Sequence, residues 1–306
     1  MPAALSLPRI STNVRLAASA LLAPDLAGAW AERLFLTPPR PRDAALTALD
    51  LVDAKSGLLE HKGRAIATWT WGARSREAPA VLLAHGWGGN AAQMRGFVYP
   101  LLSAGYRVVA FDQPAHGVSE GRLTGLPDFA EVLAEVAWQA GEGQGGAIQG
   151  VVAHSMGGAA TALAIAHGLP VRRAVIIGTS LDVGAYARRF ARWHGMPERV
   201  REAMQVAIEE RFGVRWSQLD VAKLAPRLAA PALVIHDRED RAVPWTEAAR
   251  FAGLWPQARL LLTRGLGHRR ILEDESVARA AADFIAGRSA VAQMAAPTLP
   301  NPAPLY

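Results

Sequence analysis

Ser155 stands between an apolar run, Ala147 to Ala153, and a helix-forming run that begins Met156-Gly157-Gly158. A sharp strand-to-helix turn at such a place lifts a hydroxyl above the end of a sheet. It also points the free N–H groups of the helix start at any negative charge forming beside it. That is the setting a nucleophilic serine needs. Serine attacks only when a base takes its proton. A histidine titrates near neutrality and can hand the proton on. Two later segments supply candidates: His236-Asp237-Arg238-Glu239-Asp240-Arg241-Ala242-Val243-Pro244, and Gly265-Leu266-Gly267-His268. Ser155, Asp240 and His268 then follow the order nucleophile, acid, base. Ala153 fills the first glycine position of the usual G-x-S-x-G pattern, where a small side chain still fits because the turn excludes bulk beside the serine.

Strands and helices must bring these residues together, and the pattern supplies both. Leu58 to His61 and Ala65 to Trp71, separated by Lys62-Gly63-Arg64, read as an antiparallel pair. Apolar strands then alternate with helices. The expected strands are Ala80 to Ala84, Arg107 to Phe111, Ala147 to Ala153, Ala174 to Ile177, Ala232 to His236 and Arg259 to Leu262. The expected helices are Gln93 to Ser103, Pro127 to Ala140, Met156 to His167, Thr246 to Leu254 and Val277 to Ile285. Continuous apolar strands between helices imply an α/β fold, a mostly parallel twisted sheet of about eight strands covered on both faces. Residues 183–228 show helical periodicity without a strand and read as a small helical lid. Residues 1–50 read as a helical extension with a Pro-rich break at Thr37 to Pro41, residues 51–289 as the main domain, and 290–306 as a Pro-rich tail. Each chemically suggestive segment follows a strand, including His85-Gly86-Trp87-Gly88-Gly89-Asn90. Ligands of open parallel sheets bind beyond the carboxyl ends of strands.

With these segments in place the chain resembles the α/β-hydrolase fold family. The resemblance rests on the His85-Gly86-x-Gly88-Gly89 loop, on Phe111-Asp112-Gln113-Pro114-Ala115-His116-Gly117-x-Ser119 and on His154-Ser155-Met156-Gly157-Gly158. Asp240-x-x-Val243-Pro244 and Gly267-His268 complete it. It spans roughly Ala65 to Gly287. Ala153 and Ala115 stand where the family usually has glycine. The resemblance implies a Ser155–His268–Asp240 triad that cleaves a carboxylic ester through an acyl-enzyme. The backbone N–H groups of Trp87 and Met156 would form the oxyanion hole. The same machinery suits a thioesterase, an aminopeptidase, an acyltransferase or a perhydrolase, and a non-catalytic ligand-binding scaffold is a further alternative. The spacing to Val243-Pro244 favours Asp240 over Asp237 and Asp182 as the acid. Asp112 is expected beneath the site.

The other histidines have plainer expectations. His85 and His116 lie in glycine-containing loops and are expected to hold loop shape. The His154 side chain should diverge from that of Ser155, and His236 should be buried at a strand end. In the lid, Tyr186, Phe190, Trp193, Phe212 and Trp216 recur at helical spacing. Core packing is their expected fate, although Trp87, Trp193 and Trp216 are candidates to line a substrate pocket. Arg188, Arg189 and Arg192 are expected on a solvated face.

Composition limits the rest. The chain has 306 residues, 51% hydrophobic and 20% charged, enough for a sizeable core. It has no cysteine, which excludes disulfides, thiolate metal sites and cysteine nucleophiles. The net charge is +6, but the basic residues are scattered, which argues against nucleic acid as a partner. No apolar run reaches the roughly 18 residues of a membrane-spanning helix. Leu16 to Ala23 has the look of a short export signal, interrupted by Pro24-Asp25; a cytoplasmic location is expected, with export as the alternative. The expected partner is a small ester or acyl substrate, with no cofactor and no metal. Nothing in the sequence speaks to oligomeric state.

Overall fold

The computed structural model describes residues 24–39, 51–72, 78–141, 148–180 and 182–288. The segment resembling an export signal and the tail 290–306 lie outside these residues, as does most of the extension. Within the extension one helix is described, α1 (Pro24–Leu36).

Eight strands form one sheet: β1 (Lys55–His61), β2 (Arg64–Trp71), β3 (Ala80–Ala84), β4 (Arg107–Phe111), β5 (Ile148–His154), β6 (Val171–Ile177), β7 (Ala232–Asp237) and β8 (Ala258–Thr263). Their order is β1-β2-β4-β3-β5-β6-β7-β8. Only β2 runs against its neighbours, β1 and β4; the remaining pairs are parallel. The chain leaves β3 toward β4 on one side and returns to add β5 on the other. The loops after β3 and β5 therefore diverge and leave a crevice between them, the usual ligand position of an open sheet.

The helices are α2 (Val98–Ser103), α3 (Leu126–Ala140), α4 (Met156–Ala166), α5 (Val183–Trp193), α6 (Glu198–Phe212), α7 (Val221–Leu224), α8 (Trp245–Leu254), α9 (Gly267–Arg270) and α10 (Glu275–Ile285). Alternate residues of each central strand enter different cores. Leu82 and Ala84 of β3 join Phe129 and Leu133 of α3, while Val81 and Leu83 join Phe97, Leu101 and Ala281. Burial on both faces is why these strands read as unbroken apolar runs.

β1 begins at Lys55 rather than Leu58, several other ends shift by a residue, and two differences have a clear physical cause. The helix expected over Gln93 to Ser103 is a tight 3-10 turn, Ala91–Phe97, followed by α2. Pro100 has no N–H to give to the carbonyl four residues back, so one continuous α-helix cannot form. β6 begins at Val171 rather than Ala174 because Arg172 and Arg173 lie within it. Arg173 turns its guanidinium to the Phe284 carbonyl at 3.0 Å, which lets a charged residue occupy a strand position. Between β6 and β7 the chain is helical: α5, α6 and α7, with 3-10 turns at Trp216–Gln218 and Ala225–Arg227.

Candidate active site

The turn from β5 to α4 holds Ser155 at φ 52°, ψ −121°. A non-glycine residue with such backbone angles is strained by about 1–3 kcal/mol and persists only where its surroundings fix it. Here the Ser155 N–H donates to the Ile177 carbonyl at 2.8 Å. The Ser155 carbonyl accepts from Gly158 N–H at 3.0 Å and from the Thr179 hydroxyl at 2.9 Å. Gly157 lets α4 sit close to the end of β3. A Cβ there would lie 2.5 Å from the His85 carbonyl oxygen and 2.7 Å from that of Ala84.

The loop after β8 brings His268 to the serine. Its Nε2 lies 3.2 Å from Ser155 Oγ, and its Nδ1 lies 2.7 Å from Asp240 Oδ2. An ionised carboxylate only accepts hydrogen bonds, so Nδ1 carries the proton and Nε2 is free to accept from the hydroxyl. Asp240 Oδ1 accepts from the N–H groups of Ala242 and Val243 at 2.8 and 2.9 Å. The side chain of His236 is fully buried, with Nε2 3.3 Å from Asp240 Oδ2 and 3.0 Å from the Val243 carbonyl. Burial alone would push the Asp240 carboxyl up. Hydrogen bonds from His236, His268 and Val243 outweigh it and hold the group well below the usual carboxylate range.

Asp237, the nearby carboxylate, does not face His268. It accepts from the Thr263 hydroxyl at 2.8 Å, Leu266 N–H at 3.0 Å and Glu239 N–H at 2.9 Å, tying together the two loops that carry Asp240 and His268. Asp182 caps α5 through Ala185 N–H at 2.7 Å. Asp112 accepts from Ala91 and Val118 N–H groups at 2.7 and 2.8 Å; burial pushes its carboxyl up to about 6 against these two bonds.

Three further histidines, His85, His116 and His154, support the site. His85 gives one proton to the Gly86 carbonyl at 2.7 Å and accepts from Gln113 N–H at 2.9 Å. His116 donates to the Pro114 carbonyl at 2.9 Å and accepts from Gly88 N–H at 2.9 Å. Both therefore brace the loop that contains Trp87. His154 diverges from the serine, but it does not leave the site. Its Nε2 donates to the carbonyl of His268 at 2.9 Å, and the two rings lie 4.7 Å apart. Burial, helped by the neighbouring His268, pushes His154 down to about 3; burial, helped by His116, does the same to His85, also to about 3. Sequence reasoning did not assign His154 or His236 a part in holding the other residues. Their adjacency to Ser155 and to the Asp240 loop was the only available signal.

The N–H groups of Trp87 and Met156 have no hydrogen-bond acceptor among the described residues. Met156 begins α4, where the first N–H groups lack partners within the helix. The Trp87 ring stacks on Phe129 at 6.4 Å and meets His116 edge-on at 5.3 Å.

A cavity of about 1080 Å³ opens above Ser155 and His268. The expected lid packing of aromatics is incomplete. Tyr186, Phe190, Trp193, Phe212 and Trp216 all line this cavity, as does Trp87. Trp193 is 70% exposed and stands at its rim, whereas Trp216 is 8% exposed and forms part of its interior. Arg188 is exposed as expected, but Arg189 lines the cavity and pairs with Glu247 at 2.7 Å, linking α5 to α8. Among the described residues no group of three or more His, Asp or Glu is placed to hold a metal ion.

The chain matches the family model of the alpha/beta hydrolase fold over residues 79–205 and 198–275. The chain belongs to the alpha/beta hydrolase fold family. This alpha/beta hydrolase is 28% identical over 262 residues to the magnesium-chelatase 30 kDa subunit of Rhodobacter capsulatus, covering 72% of this chain and 88% of that one. The esterase of Pyrococcus furiosus superposes with a TM-score of 0.60 at 21% identity, covering 81% of this chain and 98% of the esterase. A membrane phospholipase A described as a bacterial virulence factor gives 0.60 at 20% identity, covering 92% and 97%. At these identities the structural likenesses establish the fold alone. No described helix is long and apolar enough to cross a membrane.

Proposed function

We propose that this alpha/beta hydrolase is a serine hydrolase that cleaves carboxylic esters through an acyl-enzyme. The observation carrying this reading is the unbroken chain Ser155 Oγ, His268, Asp240, with gaps of 3.2 and 2.7 Å, at the foot of an apolar cavity. Ser155 Oγ attacks the ester carbonyl carbon as its proton passes to His268 Nε2. Asp240 holds the imidazole tautomer and stabilises the imidazolium. The carbonyl oxygen becomes negative and is received by the N–H groups of Met156 and Trp87; one such donor is worth about 3–4 kcal/mol of barrier. The C–O bond to the alcohol then breaks, and the alcohol leaves with the proton from His268. Water attacks the acyl-enzyme, gives its proton to His268, and the acid departs as that proton returns to Ser155. The depressed Asp240 carboxyl suits this role, because the group stays ionised wherever the histidine works.

The test is mass spectrometry after exposure to a fluorophosphonate. One stoichiometric adduct on Ser155, absent in His268→Ala, is the expected result; no adduct on folded protein overturns the reading. Ser155→Ala is expected to lower turnover by roughly 10⁴-fold or more with the fold unchanged. Ester, thioester and amide substrates compared side by side then separate the esterase from the other acyl-cleaving uses of the triad.

A further inference from the structure

The cavity above the serine has a wall that comes from outside the alternating strands and helices. Phe35 and Leu36, at the C-terminal end of α1, both line it. The Phe35 ring lies 5.0 Å from that of Phe190, 5.6 Å from Tyr186 and 6.2 Å from Trp216, and each of these partners lines the same cavity. Phe35 therefore sits amid the lid aromatics.

α1 is fixed at both ends of this contact. It packs along α6 so closely that a Cβ on Gly28 would lie 2.6 Å from the Ala203 Cβ. Glu32, nearly buried, pairs with Arg211 of α6. On the other side the buried Leu36 accepts from Thr124 N–H through its carbonyl at 3.0 Å, at the loop that leads into α3. Thr124 and Gly125 line the cavity as well. α1 thus spans from lid to main domain, with two apolar side chains facing the space between.

We propose that α1 is a wall of the acyl site and that Phe35 sets the length of acyl chain the site accepts. This rests on reading the cavity as an acyl site. A ring at this position occupies volume that a longer chain would need. Removing it opens that volume, and an indole closes it further.

The experiment compares chain-length profiles in a Ser155→Ala background, with the saturated carboxylates from butanoate to hexadecanoate as probes. Binding is read by tryptophan fluorescence, since Trp87 and Trp216 line the cavity. Phe35→Ala is expected to favour longer carboxylates over shorter ones by about tenfold relative to the parent, and Phe35→Trp to favour shorter ones. Phe35→Leu moves the profile the same way as alanine, by less, and stands in for it if alanine prevents folding. An unmoved profile in the folded variants, or no binding of any carboxylate, overturns the proposal. Fluorophosphonate labelling of the wild-type chain reports separately on the serine. A moved profile with an unlabelled serine rejects the catalytic reading alone, and a labelled serine with an unmoved profile rejects the wall alone.

Discussion

Asp240 and Asp237 share one loop and have different surroundings, so their replacement should have different consequences. Asp240→Asn keeps the shape but can offer His268 an amide N–H in place of an acceptor, which favours the wrong tautomer. Turnover is expected to fall by about 10⁴-fold. Asp237→Asn disturbs three hydrogen bonds that shape the loops, with a cost of about 1–3 kcal/mol in stability and a far smaller loss of rate. Steady-state kinetics and melting of both variants check the pair; the reverse pattern would move the acid to Asp237. The sequence marked Ser155, Asp240 and His268, which the fold brings within hydrogen-bonding distance, because each follows a strand in a loop with its own glycine or proline signature. It did not show that His154 and His236 steady His268 and Asp240: the partner of His154 is a backbone carbonyl 114 residues away, and that of His236 depends on how the loop after β7 folds back. His154→Phe should keep the packing but lose the bond to the His268 carbonyl. We expect kcat/KM to drop roughly tenfold through misplacement of the imidazole, on the scale of one lost buried hydrogen bond.

At the level of elements, α4 depends on close approach. Gly157→Ala would press a methyl against two carbonyl oxygens at the end of β3. It should cost about 2 kcal/mol or more and lower the melting temperature by several degrees; an unchanged melting curve would show that the elbow has slack. The strands from β3 to β7 were readable because burial on both faces leaves an apolar run. Arg172 and Arg173 hide the start of β6 by interrupting its apolar run; Arg173 reaches the Phe284 carbonyl near the end of α10. Residues 183–228 were readable as helices, but which of their aromatics pack and which line the cavity was not, because one helical face supplies both with the same spacing. The place of α1 had no signal at all. Nothing in Phe35 announces contact with Phe190 or Trp216, which follow six strands of the sheet later in the chain.

The whole molecule should lose stability in mild acid. His85 and His154 stay neutral in the folded chain down to about 3, while the unfolded chain takes up their protons near 6.5. Stability therefore falls as pH drops from 6.5 toward 3, by up to about 1.4 kcal/mol per pH unit for each histidine. Asp112 opposes this. Its folded pKa of about 6 lies above the ordinary 3.8, so its contribution is fully present below 3.8 and is lost as pH rises through 6. Denaturant midpoints from pH 7 to pH 4 should decline, and Asp112→Asn should steepen the decline by removing the opposing group. A flat profile would mean that the two rings are charged in the fold. A last consequence follows from where the chain places its reacting groups. The serine comes after β5 and its base comes after β8, the final strand. During translation the elbow leaves the ribosome long before its imidazole is made. With the proposed triad, the growing polypeptide is therefore chemically silent through most of its synthesis, and the hydroxyl is armed only when β8, at the sheet's edge, is laid down.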